Sequence, residues 1–472
     1  MDTQISLKFG GGGETYVHPA VAVAMLLVAT LIFFVPLRYV IVPFLAAVFL
    51  IPMDQIVVVG PFHFQMMRIV ILLGWIRLLA TKASSGLELL SGGMNAMDKA
   101  LILWVLCGAM NFVLLWQEWG AVVNQLGNIY TILGSFFLLR FLIRDEEDME
   151  RTIRTFVYIA VPIAIVMMIE QATGQNPYVF VGGARSAMRE MLMARENGFR
   201  AMACFQHPIL AGMFGAIVFP LCLGLWWQHK NNRLSAVAGM IAATVIVMAS
   251  LSSTPLLAYM AAIGALCLWP LRKQMRLIRW GIVLCLVSLH MVMNAPVWAL
   301  IARMGVIGGS DSWHRYYVSD QFIRRFGEWY LLGTRNYESW GFEMWDITNQ
   351  YVGVGLSTGL LPFIFFIAII VYGFKYLGRG RRSFEGNKNK ELWFWALGAA
   401  LFSNVVAFFG VSYFDQTQVA WYALLAMISA VAAHREETAA QPEGRAEQAA
   451  KDGASAYIAL RQTRKDCLRN TL

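Results

Sequence analysis

Charged residues are scarce in this chain, only 14% of its 472 positions, where a soluble protein of that size carries roughly a quarter. A water-soluble fold is therefore disfavoured. Its six cysteines have no metal-site or disulfide spacing. Cys107, Cys222, Cys267 and Cys285 fall in apolar runs, Cys204 at a helix mouth and Cys467 in the tail, so they read as small packing residues. Met1–Gly13 lacks a basic region followed by an apolar core, which is the mark of a secretory leader, so the first spanning helix is expected to direct insertion. The run Gly10–Gly13 has no strand before it and no GK[ST] after it, so it reads as a linker and not a phosphate loop. No HExxH, GxSxG or DxD signature occurs in the candidate outer loops, which argues against a zinc protease or an α/β-hydrolase. The pattern calls for neither a metal nor a cofactor.

What the chain has in abundance is apolar sequence, 58% of its residues, with a mean hydropathy of +0.56. Apolar runs of about 16–25 residues recur along it, each long enough to cross a hydrocarbon core of about 30 Å. The expected fold is all-α, a polytopic transmembrane helix bundle. Spans are expected near 17–36, 39–59, 64–82, 99–117, 120–143, 154–171, 206–228, 234–250, 254–270, 279–297, 351–376, 391–410 and 416–433. The count is about thirteen, or about twelve if 39–59, interrupted by Pro43 and Pro52, dips in without crossing. Residues 1–433 form one membrane domain. Residues 434–472, rich in Ala, Glu, Gln and Arg, form a polar tail with the composition of a disordered or loosely helical segment.

The net charge of +9 reads as loop bias and not as nucleic-acid binding. Basic or mixed connections at 142–154, 229–233, 272–279 and 375–390 alternate onto one side, which the positive-inside rule makes cytoplasmic. The segments 172–205 and 298–350 then face outward. They hold Arg185, Arg189, Arg195, Arg200, Arg303, Arg315, Arg324, Arg325 and Arg335, and no lysine. Arginine offers a planar fork for phosphate or carboxylate, whereas lysine is a point charge. The alternative is an ion-pair network with Glu190, Glu196, Glu328, Glu338, Glu343 and Asp346. The tryptophans and tyrosines of 298–350 suit an interfacial belt or stacking on sugar faces, and FIRRFGEWYLL (322–332) reads as an amphipathic interfacial helix.

Three constellations could carry chemistry. In RENGFRAMACFQHPILAG (195–212), His207-Pro208 opens a helix. Its N-terminus offers an anion site that Arg200 would strengthen, and His207 is either a cap or a functional group. In GSDSWHRYYVSDQFIRRFGEWYLLGT (309–334), Asp311, His314 and Arg315 lie close together. In WDITNQYVGVGLSTGLLPF (345–363), Asp346 and Asn349 are spaced to share a helix face or to form a cap.

This order of features resembles the O-antigen ligase and polymerase superfamily of bacterial envelopes over roughly residues 150–410. The resemblance rests on Arg200, Phe205, His207-Pro208 and Gly212, then the serine-rich SLSSTP (250–255). Next come Arg315 on an early loop helix, the turn Leu332-Gly333-Thr334, and Asp346, Thr348, Asn349, Tyr351 and Gly359. Thr348 stands where the family motif has a histidine, and Thr254 or Pro255 stands where an arginine is common. That places the chain nearer the exopolysaccharide polymerase branch or a member with altered chemistry. The resemblance implies inverting, metal-independent glycosyl transfer outside the bacterial inner membrane, from an undecaprenyl-pyrophosphate-linked oligosaccharide to a second lipid-linked repeat unit. Arg200 and Arg315 would hold the pyrophosphate. Asp346, Glu328 or His314 would take the acceptor proton, and His207, Asn349, Arg324, Arg325 and Arg335 would bind substrate. Membrane lipid and a chain-length regulator are the other partners it suggests. Ligase-type transfer to another acceptor and a non-catalytic part in polysaccharide assembly or export remain open. A transporter would need polar residues near the bilayer midplane and internal repeats; Asn124, Asn128 and Thr244 are the mild exceptions to apolar span centres. Cys204, three residues before His207, offers a thiol nucleophile as a further alternative.

Overall fold

The computed structural model describes residues 14–60, 62–86, 89–183, 194–195, 198–303 and 312–431. Gly10–Gly13, Arg185, Arg189, Asp311 and the tail from residue 434 lie outside them.

The described chain is mostly helical. In order come α1 (Pro19–Phe34), α2 (Ile41–Leu50), the antiparallel hairpin β1 (Ile56–Val59) and β2 (Phe62–Gln65), α3 (Met66–Ser85), α4 (Ala96–Trp116), α5 (Trp119–Leu142) and α6 (Glu146–Thr173). The two-residue strands β3 (Ala194–Arg195) and β4 (Gly198–Phe199) precede α7 (Pro208–Gln228), α8 (Arg233–Ala249), α9 (Ser253–Cys267) and α10 (Met275–Val292). Then follow α11 (Ser312–Arg324), the single turn α12 (Phe326–Trp329), α13 (Gln350–Thr358), α14 (Leu360–Ser383), α15 (Lys388–Ala407) and α16 over 415–431.

Local chemistry sets several of these boundaries. Asn95 and Asp98 form a reciprocal capping box at the start of α4. Asp145 caps α6, whose first turn carries Glu146, Glu147 and Asp148 against the positive end of the helix dipole. Gly174, left-handed at φ +70°, ends it.

The core is built around α7. Gly215 lets α7 meet α8 backbone to backbone, since a Cβ there would lie 2.7 Å from the Ala243 carbonyl oxygen. Close approach through small residues is how helices associate where lipid removes the hydrophobic drive.

Hydrogen bonds and ion pairs sort the helix ends into two faces. At one, Arg151 donates to the Arg38 carbonyl, Asn232 to Glu150, and Lys390 pairs with Glu146 at 3.1 Å. Arg272 and Arg381 share Glu391, and Lys273 reaches Glu385. This basic end gathers the four basic connections that the sequence groups on one side. At the opposite end Gln55 donates to the Val181 and Gly182 carbonyls, Gln416 to those of Ile51 and Cys204, and Asn111 to that of Thr358.

Among the described residues seven helices are long and apolar enough to cross a membrane: α4, α5, α6, α7, Lys230–Ala249, α10 and α14. By length and composition they suggest a multi-pass membrane protein, and they are fewer than the expected spans. Helix α3 carries Arg68, Arg77 and Lys82, and α1, the stretch Leu37–Leu50 and α9 are shorter apolar helices.

The expected span 39–59 is corrected. Helix stops at Leu50, the chain turns extended at Ile51 before Pro52, and residues 56–59 pair with 62–65 as a β-hairpin. Pro43 falls in the first turn of α2, where its missing N–H is not needed.

The expected span 351–376 is also two helices. Gly359, at φ +84° and ψ −175°, separates α13 from α14, a conformation essentially reserved for glycine. A Cβ there would sit 2.6 Å from the Leu331 carbonyl oxygen. Gly359→Ala is therefore expected to cost about 2–3 kcal/mol in detergent unfolding. Gly378→Ala, with nothing within 4 Å of its added Cβ, is expected to be neutral. Equal shifts for the two would show that strain at Gly359 is not the cause.

The stretch 322–332 is not one amphipathic helix. Helix α11 ends at Arg324, and α12 folds Trp329 back so that its ring stacks on Phe322 at 4.0 Å and its indole N–H donates to the Phe322 carbonyl. Trp329 and Trp340 join Val318, Phe322, Met344, Val352 and Leu356 in a small second core. Trp313 and Trp345 stay exposed. Much of 312–358 is thus a packed cap over the opposite end.

Candidate functional site

The stretch that follows β4 is pinned on three sides. Arg200 is 4% exposed, and its Nη2 donates to Ser252 Oγ at 2.8 Å. The Ala201 N–H donates to the Ala249 carbonyl at the end of α8. Glu170, fully buried near the end of α6, accepts from the N–H groups of Met202 (2.9 Å) and Ala203 (2.7 Å), while Asn176 donates to the Ala203 carbonyl. A guanidinium is a permanent cation in proteins, so Arg200 is a buried cation held on Ser252.

Backbone strain collects around the same place. Of the five non-glycine residues with positive φ among the described residues, Ala203 (+49°) and Leu251 (+42°) flank the Arg200–Ser252 contact in sequence, and Asp415 (+51°) precedes Gln416, which donates to the Cys204 carbonyl. Each such residue costs of order 1–3 kcal/mol and persists only where its surroundings hold it.

The other motif segments pack against this one. A Cβ on Gly212 would lie 2.7 Å from Pro255. Thr254 Oγ1 donates to the Gly410 carbonyl at 3.1 Å. Ser412 Oγ donates to the Ile347 carbonyl at 2.9 Å, and the Gln350 N–H to the Phe408 carbonyl. Asn349, 2% exposed, caps α13 by accepting from the N–H groups of Tyr351 and Val352, and its Nδ2 reaches Ser319 Oγ at 3.3 Å. Ser319 in turn donates to the Arg315 carbonyl one helical turn back. Arg315 is itself 7% exposed. Segments 200–212, 250–255, 346–351 and 408–413 thus form one bonded layer, with the Arg315 helix hung from Asn349.

The remaining predicted residues divide. His207 caps α7, its Nδ1 accepting from the Ile209 N–H at 3.1 Å, which matches the capping alternative. His314 Nε2 lies 2.9 Å from the Asp346 carbonyl oxygen. That acceptor calls for the Nε2–H tautomer and leaves Nδ1 as an acceptor in the neutral ring. Asp346 and Asn349 do not share a helix face, because Asp346 lies in a turn before the helix that Asn349 caps. Arg324 pairs with Asp320 at 2.6 Å. Arg325 pairs with Glu328 at 3.1 Å, and Glu328 also accepts from the Trp340 indole. Arg335 donates to the Leu115 carbonyl and stacks over Trp116. The Arg325–Glu328 pair matches the ion-pair alternative; Arg324 pairs with an acid outside that set, and the contacts given for Arg335 are to a carbonyl and an indole ring.

Cys204 is overturned as a nucleophile. It is buried, its thiol donates to the Phe49 carbonyl, and burial pushes it up to about 12, so the thiolate that attack requires is scarce at neutral pH.

Glu170 and Ser252 were not singled out from the sequence. An acid in the last turn of an apolar helix opposes the helix dipole, and that misplacement was the available signal for Glu170. Ser252 had only its serine-rich neighbourhood. Among the described residues no group of three or more His, Cys, Asp or Glu side chains is placed to hold a metal ion. No known protein-family model matches the chain, and no curated protein matches it.

Proposed function

We propose that the protein polymerises lipid-linked oligosaccharide repeat units on the outer face of a bacterial inner membrane, by inverting glycosyl transfer from an undecaprenyl pyrophosphate donor. One observation carries this reading. The segments on which the family resemblance rests are bonded into a single layer at the end opposite the basic loops, and that layer holds a buried Arg200 on Ser252.

In the proposed step the acceptor hydroxyl oxygen bonds to donor C1 as the bond from C1 to the pyrophosphate oxygen breaks. The electron pair leaves with the pyrophosphate, and attack from the opposite side inverts C1. Arg200 and Arg315 stabilise the charge that grows on the leaving group, and fixed donors in a site poor in water are effective at this. His314 is the group we assign as base, taking the proton on Nδ1. Its ring already contacts the 346–348 turn, beside Thr348, where the family motif has its histidine. His207 Nδ1 is engaged as a cap, and Glu328 is held by Arg325 and Trp340.

The test is reconstitution of the purified chain with lipid-linked repeat units and a gel for elongated product. A ladder is expected. Repeat units that stay single sink the polymerase reading, and a single transfer to an added lipid acceptor would identify a ligase instead.

A further inference from the structure

The basic end contains a cleft of about 340 Å³ between α2 and α6, lined in part by Tyr39, Val42, Glu147, Glu150, Arg154 and Tyr158. Its charges are of both signs. Arg151, also on its wall, is committed elsewhere: it donates to the Arg38 carbonyl at 3.0 Å, to Asp148, and to Glu147 at 2.8 Å, and its side chain is only 13% exposed. Arg154 donates to Glu150 and to Asn232, yet 41% of its side chain is exposed. Glu147 gives one oxygen to Arg151 and is 76% exposed. The cleft therefore presents one accessible guanidinium, one accessible carboxylate and the phenols of Tyr39 and Tyr158. A simple anion would meet Glu147 and Glu150, and a simple cation would meet Arg154. A ligand carrying both charges satisfies both walls.

The surroundings point to a ligand with a tail. Tyr158, Ile165 and Met168 are 64%, 53% and 56% exposed. At these spacings they fall on one face of α6, forming an uncovered apolar strip that leads from the cleft past the middle of the helix.

We propose that this cleft binds the head group of an aminophospholipid of the phosphatidylethanolamine type. The phosphate takes Arg154 and the tyrosine hydroxyls, the ammonium takes Glu147, and an acyl chain lies along the α6 strip; Glu150, 16% exposed, is already engaged by Arg154 and Asn232. The inference rests on the multi-pass membrane fold and is independent of the proposed glycosyl transfer. A primary ammonium has N–H donors for the carboxylate, a trimethylammonium has none, and phosphatidylglycerol has no cation to offer it.

The test uses the full chain, stripped of native lipid and reconstituted in bilayers of equal parts phosphatidylethanolamine, phosphatidylcholine and phosphatidylglycerol, with retained lipid measured by mass spectrometry. The wild type is expected to retain phosphatidylethanolamine about tenfold over phosphatidylcholine, the worth of one charge-assisted contact. Glu147→Gln and Arg154→Gln are each expected to erase that preference. Arg154 also holds Asn232, so its variant is read only if its unfolding midpoint is unchanged. Glu147 is exposed and serves as the variant that keeps the fold. Equal retention of phosphatidylcholine, a preference for phosphatidylglycerol, or an unchanged preference in Glu147→Gln would overturn the proposal. So would displacement of bound lipid by an equal concentration of soluble phosphoethanolamine.

Discussion

Under the proposed transfer, Arg200→Ala is expected to lower polymer formation by at least about a hundredfold, the effect of removing one fixed donor from a developing oxyanion. Arg200→Lys is expected to recover little, because a point charge cannot reproduce the fork that grips two phosphate oxygens. Ser252→Ala is expected to be milder, about tenfold, since it removes one hydrogen bond that aims the guanidinium and leaves the charge in place. The measurement is the rate of ladder formation at equal protein in the membrane, with the unfolding midpoint of each variant alongside. That order, alanine and lysine severe and Ser252→Ala intermediate, separates a group that touches the leaving pyrophosphate from one that merely fills space. If Arg200→Ala and Arg200→Lys both elongate at the wild-type rate, the proposed electrostatics have no role in the reaction.

The strain beside Arg200 bears on the same question. Left-handed Ala203 is held by Glu170 and Asn176, and left-handed Leu251 lies between Ser250 and Ser252. A chain selected for stability alone would place glycine at such positions. Keeping alanine and leucine there leaves strain unrelieved beside Arg200, as the proposed preorganised site requires.

Hydropathy made most of the helices legible, because a helix in lipid needs an apolar run of predictable length. Charge alternation grouped the basic loops, and the bonds among Arg38, Arg151, Glu150 and Asn232, and between Lys390 and Glu146, show that end assembled. What escaped the sequence depends on contacts between distant segments. The break at Gly359 is imposed by the Leu331 carbonyl, the hairpin at 56–65 follows a helix too short to continue past Pro52, and Trp329 is drawn under Phe322. The candidate site was legible in the same measure. Among nine arginines in segments without lysine, Arg200 stood out by its place before the His207-Pro208 helix and Arg315 by the family resemblance. Their support by Ser252, Glu170, Ser319 and Asn349 is tertiary and has no local signature.

Asp98→Ala is expected to destabilise the fold by about 3–5 kcal/mol, the cost of leaving a buried charge without its partner. Asp98 and Arg140 are both 0% exposed, with Arg140 Nε 3.8 Å from Asp98 Oδ2. At that separation the pair is ionic more than hydrogen-bonded. Asp98 also accepts from Ser429 Oγ at 2.9 Å and from the Asn95 N–H, and Arg140 donates to the Ser91 carbonyl at 2.8 Å. These bonds lock α4, α5 and α16 together at the basic end, the end of the bundle opposite the candidate site. The double variant Asp98→Leu, Arg140→Met removes both charges and is expected to recover most of the loss, since apolar replacement of a whole buried pair is often neutral or stabilising. Denaturant unfolding in detergent distinguishes the cases. A double variant no more stable than Asp98→Ala would mean that the hydrogen bonds to Asn95, Ser429 and Ser91 hold the helices, and that the ion pair contributes little.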